Sequence, residues 1–260
     1  MNRGASPRGY AVPFFALGAG SFVALYLPQP LLPDLDHQFH TPPSVTGLVM
    51  TAGLLGFALA GLLREGDPDR TLRRAMWLVA VGSIVAALSP ALAVLLVARA
   101  AQGVGTGMLI AGGLAEVPRR LPPTATGLVT AAMISGTALG GLLGRIAGYT
   151  GIFLTWRGAF VIGGLLLLVM VGLSLRTLTR LAARSAHPRT SPVSGPAPVS
   201  IILAGLFILF VNVAVFDLLP YRLSAAPFGL SIAVGDLVYL VFLVSVPFGW
   251  AAGWAIDRFG

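Results

Sequence analysis

The sequence predicts an all-α fold, a polytopic bundle of membrane-spanning helices, and three observations carry that prediction. Of the 260 residues, 56% are hydrophobic and only 10% are charged, with a mean hydropathy of +0.88. A water-soluble domain of this size needs more polar surface. The apolar residues also fall into uncharged runs long enough to cross a hydrocarbon core of about 30 Å, for which a helix needs roughly 20 residues. Finally, the net charge is +8, all seventeen basic residues are Arg, and most sit in short clusters beside the ends of those runs. Such clusters orient helices in a bilayer, and no nucleic-acid partner is expected. The chain has no cysteine, which excludes disulfides, thiolate nucleophiles and thiolate metal sites.

Eight spans follow in order, at about 11–32, 45–63, 75–89, 92–115, 125–147, 158–175, 201–219 and 234–254. The first follows Arg3 and Arg8. The sequence after it, rich in Leu and Pro, has no small-x-small cleavage site, so it reads as an uncleaved span rather than a signal peptide. The second ends before Arg64 and a charged inner turn. From Ala75 to Leu114 forty residues carry one charge, too many for one crossing, and the run folds back at Ser89-Pro90 as the third and fourth spans. The fifth and sixth are bounded by Pro122-Pro123 and by Trp156-Arg157. Ala182 to Ser200 is Ser-, Pro- and Ala-rich, a linker composition. Residues 1–178 therefore read as a six-span half, 179–200 as a cytoplasmic linker, and 201–260 as the first two spans of a second half, with the chain expected to be truncated after the eighth span.

With the N-terminus inside, thirteen of the seventeen Arg lie in inner segments, Arg157 and Arg222 lie outside, and Arg99 and Arg145 fall within spans. This asymmetry predicts cytoplasmic N- and C-termini in a bacterial inner membrane. The first outer segment, Asp34 to Ser44, holds Asp34, Asp36, His37 and His40. With no convergent third ligand it reads as a solvated loop, and no metal or other cofactor is expected.

Two Asp-Arg pairs, Asp69-Arg70 and Asp257-Arg258, close apolar stretches at similar places in the two successive halves. Repetition of a charged turn between hydrophobic helices is the pattern of carriers built from duplicated bundles. No span holds paired Asp, a Ser-His set or a His-Glu metal pattern, so an intramembrane enzyme is not expected.

Four stretches resemble the major facilitator superfamily, and more narrowly its bacterial multidrug and sugar efflux branch. The inner turn matches the family pattern Gly-x-x-x-Asp-Arg-x-Gly-Arg-Arg at Asp69, Arg70, Arg73 and Arg74, with Glu65 and Leu72 at the two Gly positions. Its second copy runs from Gly253 through Asp257 and Arg258 to Gly260. Leu95-x-x-x-Arg99-x-x-Gln102-Gly103-x-Gly105 is similar to the family's fourth-helix pattern. Gly127, Gly136, Gly140, Gly141 and Gly144 follow the glycine spacing of its antiporter motif, without that motif's prolines. Trp156-Arg157-x-x-Phe160 resembles the start of its sixth span.

An Arg inside a span costs about 2.5–3.5 kcal/mol on insertion scales and normally faces a polar cavity or a partner. The resemblance implies that Arg99, with Gln102 and Gly103 within one turn, serves proton coupling or the cavity. It also implies that the Asp and Arg of the inner turns form a gate by pairing across neighbouring helices. Asn212 and Asp217 are candidates for a substrate or proton site, as is Glu116 at the inner end of the fourth span. The activity implied is secondary active transport, with proton-coupled export of small organic molecules by alternating access. Its partners are a small-molecule substrate, protons and the lipid bilayer, and the oligomeric state is open. The alternative is a non-transporting membrane protein or interaction partner.

Overall fold

The computed structural model describes residues 7–61, 63, 67–122 and 125–184, scattered positions between 199 and 234, and 236–259. Contacts divide the chain into two units, Met1–Thr190 with Ser245–Gly260, and Ser191–Val244. No strand occurs among the described residues. Six helices there are long and apolar enough to cross a membrane: Gly9–Phe39, Pro43–Ala60, Leu92–Arg120, Thr126–Tyr149, Phe153–Leu181 and Leu237–Phe259. The expected third span is a 20-residue helix whose first turns carry charge, and most of the expected span 201–219 lies outside the described residues.

Helix α1 (Pro7–Tyr26) is apolar on all sides after Arg8, save Ser21, and largely buried. It ends where the chain reads Leu27-Pro28-Gln29-Pro30: Leu27 N–H still reaches Val23 O at 3.1 Å, but Pro28 has no N–H for the next carbonyl. A 3₁₀ turn over Gln29–Leu31 leads into α2 (Leu32–Phe39), and α3 (Pro43–Thr46) follows. The segment expected to be a solvated loop, Asp34 to Ser44, is therefore largely helical. Leu31, Leu35 and Phe39 recur every four residues, Leu31 and Leu35 are buried, and Phe39 packs on Trp156 with ring centroids 5.7 Å apart. His40 takes the left-handed C-cap conformation (φ 52°) that ends α2.

α4 (Leu48–Ala60) is followed by α5 (Pro68–Ala87). The Asp69-to-Arg74 motif is the opening of α5 rather than a turn before it. Asp67 caps the helix, accepting from Asp69 N at 3.2 Å, Pro68 takes the first helical position, and Asp69 supplies an acid to the first turn. α5 and α6 (Leu92–Arg120) form the expected hairpin about Ser89-Pro90. α7 (Thr126–Tyr149) precedes α8 (Gly151–Arg184), which is broken at Thr155, a β-branched residue at φ 71°. Its long part starts at Trp156. It runs on to Arg184, past the boundary expected at 178, with Leu178 buried in the core and Leu175 and Leu181 packed against it.

α9 (Val241–Phe259) belongs to the first unit from Ser245 onward. In the second unit Arg222 donates to Ala226 O at 2.8 Å and lies over the Phe228 ring.

Two apolar clusters fill the first unit. One gathers Tyr10, Phe14, Leu17, Leu72, Leu109 and Met133; the other gathers Leu27, Leu35, Leu95, Trp156 and Phe160. Outward-facing side chains such as Leu55, Trp77, Val97 and Leu173 are more than half exposed, the apolar surface that a bilayer covers.

Glycine seams set the closest helix approaches. On α7, Gly136, Gly140, Gly144 and Gly148 recur every four residues, and a Cβ on each would collide with a carbonyl oxygen of the α1 segment: Phe15, Ala19, Val23 and Leu27 respectively. Between α4 and α6, Gly56, Gly103 and Gly107 do the same against Ala100, Gly53 and Phe57. Lipid tails supply no hydrophobic drive for helix association, so this backbone proximity is what the small residues contribute.

Candidate functional site

Arg99 is fully buried about two turns into α6, and its environment begins with the end of α1. Pro28 leaves Ala24 O without its helical donor, and Leu25 O lies in the same last turn. The Arg99 guanidinium fills this gap. Nη1 donates to Ala24 O at 2.7 Å and Nη2 to Leu25 O at 2.8 Å, while Nε reaches Val49 O on α4 at 3.3 Å. Nη1 also donates to Gln102 Oε1 at 2.7 Å, and Gln102 Nε2 donates to Ser83 Oγ on α5 at 2.8 Å. Gly53 makes room: a Cβ there would stand 2.7 Å from Nη2.

No carboxylate pairs with Arg99 among the described residues. A cation at the negative end of the α1 macrodipole, bonded by four acceptors, is a stable way to hold a buried guanidinium. The site joins α1, α4, α5 and α6. Gly103 enters through the seam with Gly53 rather than through a polar contact.

A second polar cluster lies where α5 begins and α6 and α8 end. Glu116 and Arg120 stand four apart on α6, acid before base, the favourable helical order, and Arg120 Nε donates to Glu116 Oε2. Arg120 Nη2 bridges to Asp69 Oδ1 at 3.0 Å, and Nη1 donates to Leu178 O at 3.0 Å. One guanidinium thus ties α5 and α8 to α6. Arg120 is only 7% exposed and Asp69 38%. Arg119 Nε lies 3.5 Å from Glu116 Oε1.

Asp69 of the first Asp-Arg motif therefore pairs across helices. Arg70 pairs locally with Asp67 at 3.3 Å, both well exposed, and Arg73 and Arg74 are exposed on α5. Glu116 and Arg120 could be paired from sequence by their i, i+4 spacing. Their meeting with Asp69 could not.

The second motif copy reaches α7. Asp257 Oδ1 accepts from Gly127 N at 2.7 Å and Oδ2 from Leu128 N at 2.8 Å, so a carboxylate from α9 caps the positive end of α7. Gly253 and Gly127 are at the same contact, since a Cβ on either would press on the other's carbonyl oxygen. Arg258 lies over the Trp254 and Phe259 rings at 5.2 and 5.7 Å.

The glycine set of the fifth span divides by this geometry. Gly136, Gly140 and Gly144 share the α1 seam, Gly127 meets α9, and Gly141 faces Arg145 and Tyr26 in ordinary contact. Asn212, Asp217 and Gly260 lie outside the described residues.

Sequence reasoning passed over Arg145. It is buried, its Nε donates to Gln29 Oε1 at 2.8 Å, and its guanidinium carbon sits 4.4 Å from the Tyr26 ring centroid. The signal was the one used for Arg99, a charge within a span.

Residues 14–260 match the profile of the Major Facilitator Superfamily. The chain is 28% identical to the uncharacterized MFS-type transporter YybF of Bacillus subtilis, over 95% of this chain and 65% of that protein. It is 25% identical to the inner membrane transport protein YnfM of Escherichia coli, over 95% of this chain and 63% of that one. The 3-(3-hydroxy-phenyl)propionate transporter of Escherichia coli is 27% identical over 75% of this chain and 51% of its own length. The chain thus spans somewhat less than two thirds of the length of the first two relatives. The crystal structure of the human organic anion transporter MFSD10 shares its fold at a TM-score of 0.60, with 20% identity over 96% of this chain and 73% of the other. Its relatives are transporters and not enzymes, its long apolar helices are multi-pass membrane spans, and the chain belongs to the Major Facilitator Superfamily.

Proposed function

We propose that the protein containing this chain exports a small organic molecule in exchange for protons by alternating access, with both ends of this chain on the cytoplasmic side of a bacterial inner membrane. Residues 1–178 act as one half, 179–200 as the connection, and 201–260 as the opening of the second half. One observation carries the reading: Arg120 holds α5, α6 and α8 together at one end through Asp69, Glu116 and Leu178 O. A carboxylate that takes up a proton loses its charge-assisted bond to Arg120. Protonation of Asp69 or Glu116 therefore releases the helix ends, and rocking of the two halves follows from that release.

Arg99, Gln102 and Gly103 contribute to coupling by position, keeping α1 joined to α4 and α6 so that the half moves as one body. Asp257 acts at the α7 end in the same latched state, with Gly253 and Arg258 setting its approach, Gly260 completes that motif, and Arg70, Arg73 and Arg74 hold that end at the interface. Asn212 and Asp217 serve the substrate or the proton. A hydroxyphenyl propionate named as cargo of one relative supports a small organic substrate.

The test is the full gene product in proteoliposomes under an imposed pH gradient, with a panel of small organic compounds that includes phenylpropionates. Gradient-driven movement abolished by an uncoupler is expected. Movement that ignores the uncoupler refutes proton coupling, and no movement of any compound refutes the carrier reading.

A further inference from the structure

A groove of about 880 Å³ runs between α5 and α8 on the outward-facing side of the bundle. At the end where α5 begins and α8 ends, Arg73, Arg176 and Arg180 stand around its mouth. Arg176 and Arg180 are one helical turn apart on α8, and Arg73 approaches from α5. All three are exposed, and among the described residues none pairs with a carboxylate. Deeper, the lining turns apolar with Trp77, Leu168 and Leu173, while Gly172 leaves the floor open where a side chain would fill it. From Arg176 to Leu168 the α8 wall extends about 12 Å along the helix axis, at about 1.5 Å per residue.

We propose that this groove binds one anionic phospholipid, its phosphate at Arg73, Arg176 and Arg180 and an acyl chain along the Trp77–Leu173 floor. Charge complementarity selects the headgroup, because three guanidinium groups with no carboxylate partner among the described residues line one groove, at the charged end of its helices where a phosphate would be held. The apolar floor selects a lipid over a free phosphate, which would leave that surface bare. Trp77 is 58% exposed one turn past Arg73, the interfacial depth at which an indole is favoured. The inference does not depend on the transport reading, since it concerns the outer face of one half.

The full gene product in nanodiscs provides the test, with Trp fluorescence quenched by brominated phosphatidylglycerol or brominated phosphatidylcholine. Trp77→Phe subtracts the emission of the other tryptophans. Trp77 should be quenched more strongly by the anionic lipid, and each single Arg73→Gln, Arg176→Gln or Arg180→Gln change should reduce that preference about fivefold. Inorganic phosphate should not compete. The corresponding Lys variants should retain most of the preference, which separates lost charge from lost folding. Equal quenching by the two lipids in the unmodified protein overturns the proposal, as it would if the linker or a second copy covered the groove. A preference that survives all three Gln substitutions together overturns it as well.

Discussion

Arg99 and Arg120 are both largely buried arginines on the same helix, about six turns apart, and they are held in opposite ways. Arg99 bonds to neutral acceptors, the backbone carbonyls of Ala24, Leu25 and Val49 and the Gln102 amide. None of these titrates, so the tie is permanent. Arg120 bonds to two carboxylates, one of them substantially exposed, and to a single carbonyl. In the proposed mechanism it is this tie that a proton cuts. The comparison separates a pin at the last turn of α1 from the proposed latch where α5 begins and α6 ends.

The largest effect tests the pin. Arg99→Ala removes four hydrogen bonds and leaves two carbonyls of the last α1 turn unsatisfied in a medium without water, so it should destabilise the protein by about 3 kcal/mol. Thermal unfolding in detergent measures this. Arg99→Lys should fall between, because one ammonium cannot span the three carbonyls and the amide. Unchanged stability in Arg99→Ala would erase the distinction between the two arginines.

A smaller loss, about 2 kcal/mol, is expected for Gly140→Ala, whose methyl meets the Ala19 carbonyl. Gly141→Ala on the adjacent face should be close to neutral. Equal melting temperatures for the two variants would show that the α1–α7 seam yields easily.

Asp257→Asn weakens the charged cap on Gly127 N and Leu128 N and should cost about 1 kcal/mol. Hydrogen exchange at the first turn of α7 reads this directly, and protection there should fall while the rest of α7 is unaffected.

The latch should matter least to stability. Asp69→Asn should change the unfolding free energy by less than about 1 kcal/mol, because the Asp69 carboxylate is partly in solvent. Under the proposed mechanism the transport rate should change and lose part of its response to the imposed pH gradient. A large loss of stability with normal gradient response would make Asp69 a second pin.

Composition and arginine placement were enough to predict a multi-pass helical bundle, because a bilayer forces backbone groups to pair within each helix and leaves the sequence little freedom of fold. The charged motifs were equally legible as motifs. The Leu31, Leu35 and Phe39 repeat could have revealed α2, but the Asp and His residues between them outweighed it.

What each charge touches was decided only by tertiary structure. That Pro28 strips a donor from Ala24 is readable in the chain; that Arg99, 75 residues later, supplies the replacement is not. Gly136, Gly140 and Gly144 announce a contact face by their spacing, yet nothing local says that the face meets α1 while Gly127 meets α9. The physical reason is the same in each case. Hydrophobicity and helix periodicity are local properties of the chain, whereas a guanidinium or a bare backbone takes its partner from helices that packing alone brings within reach.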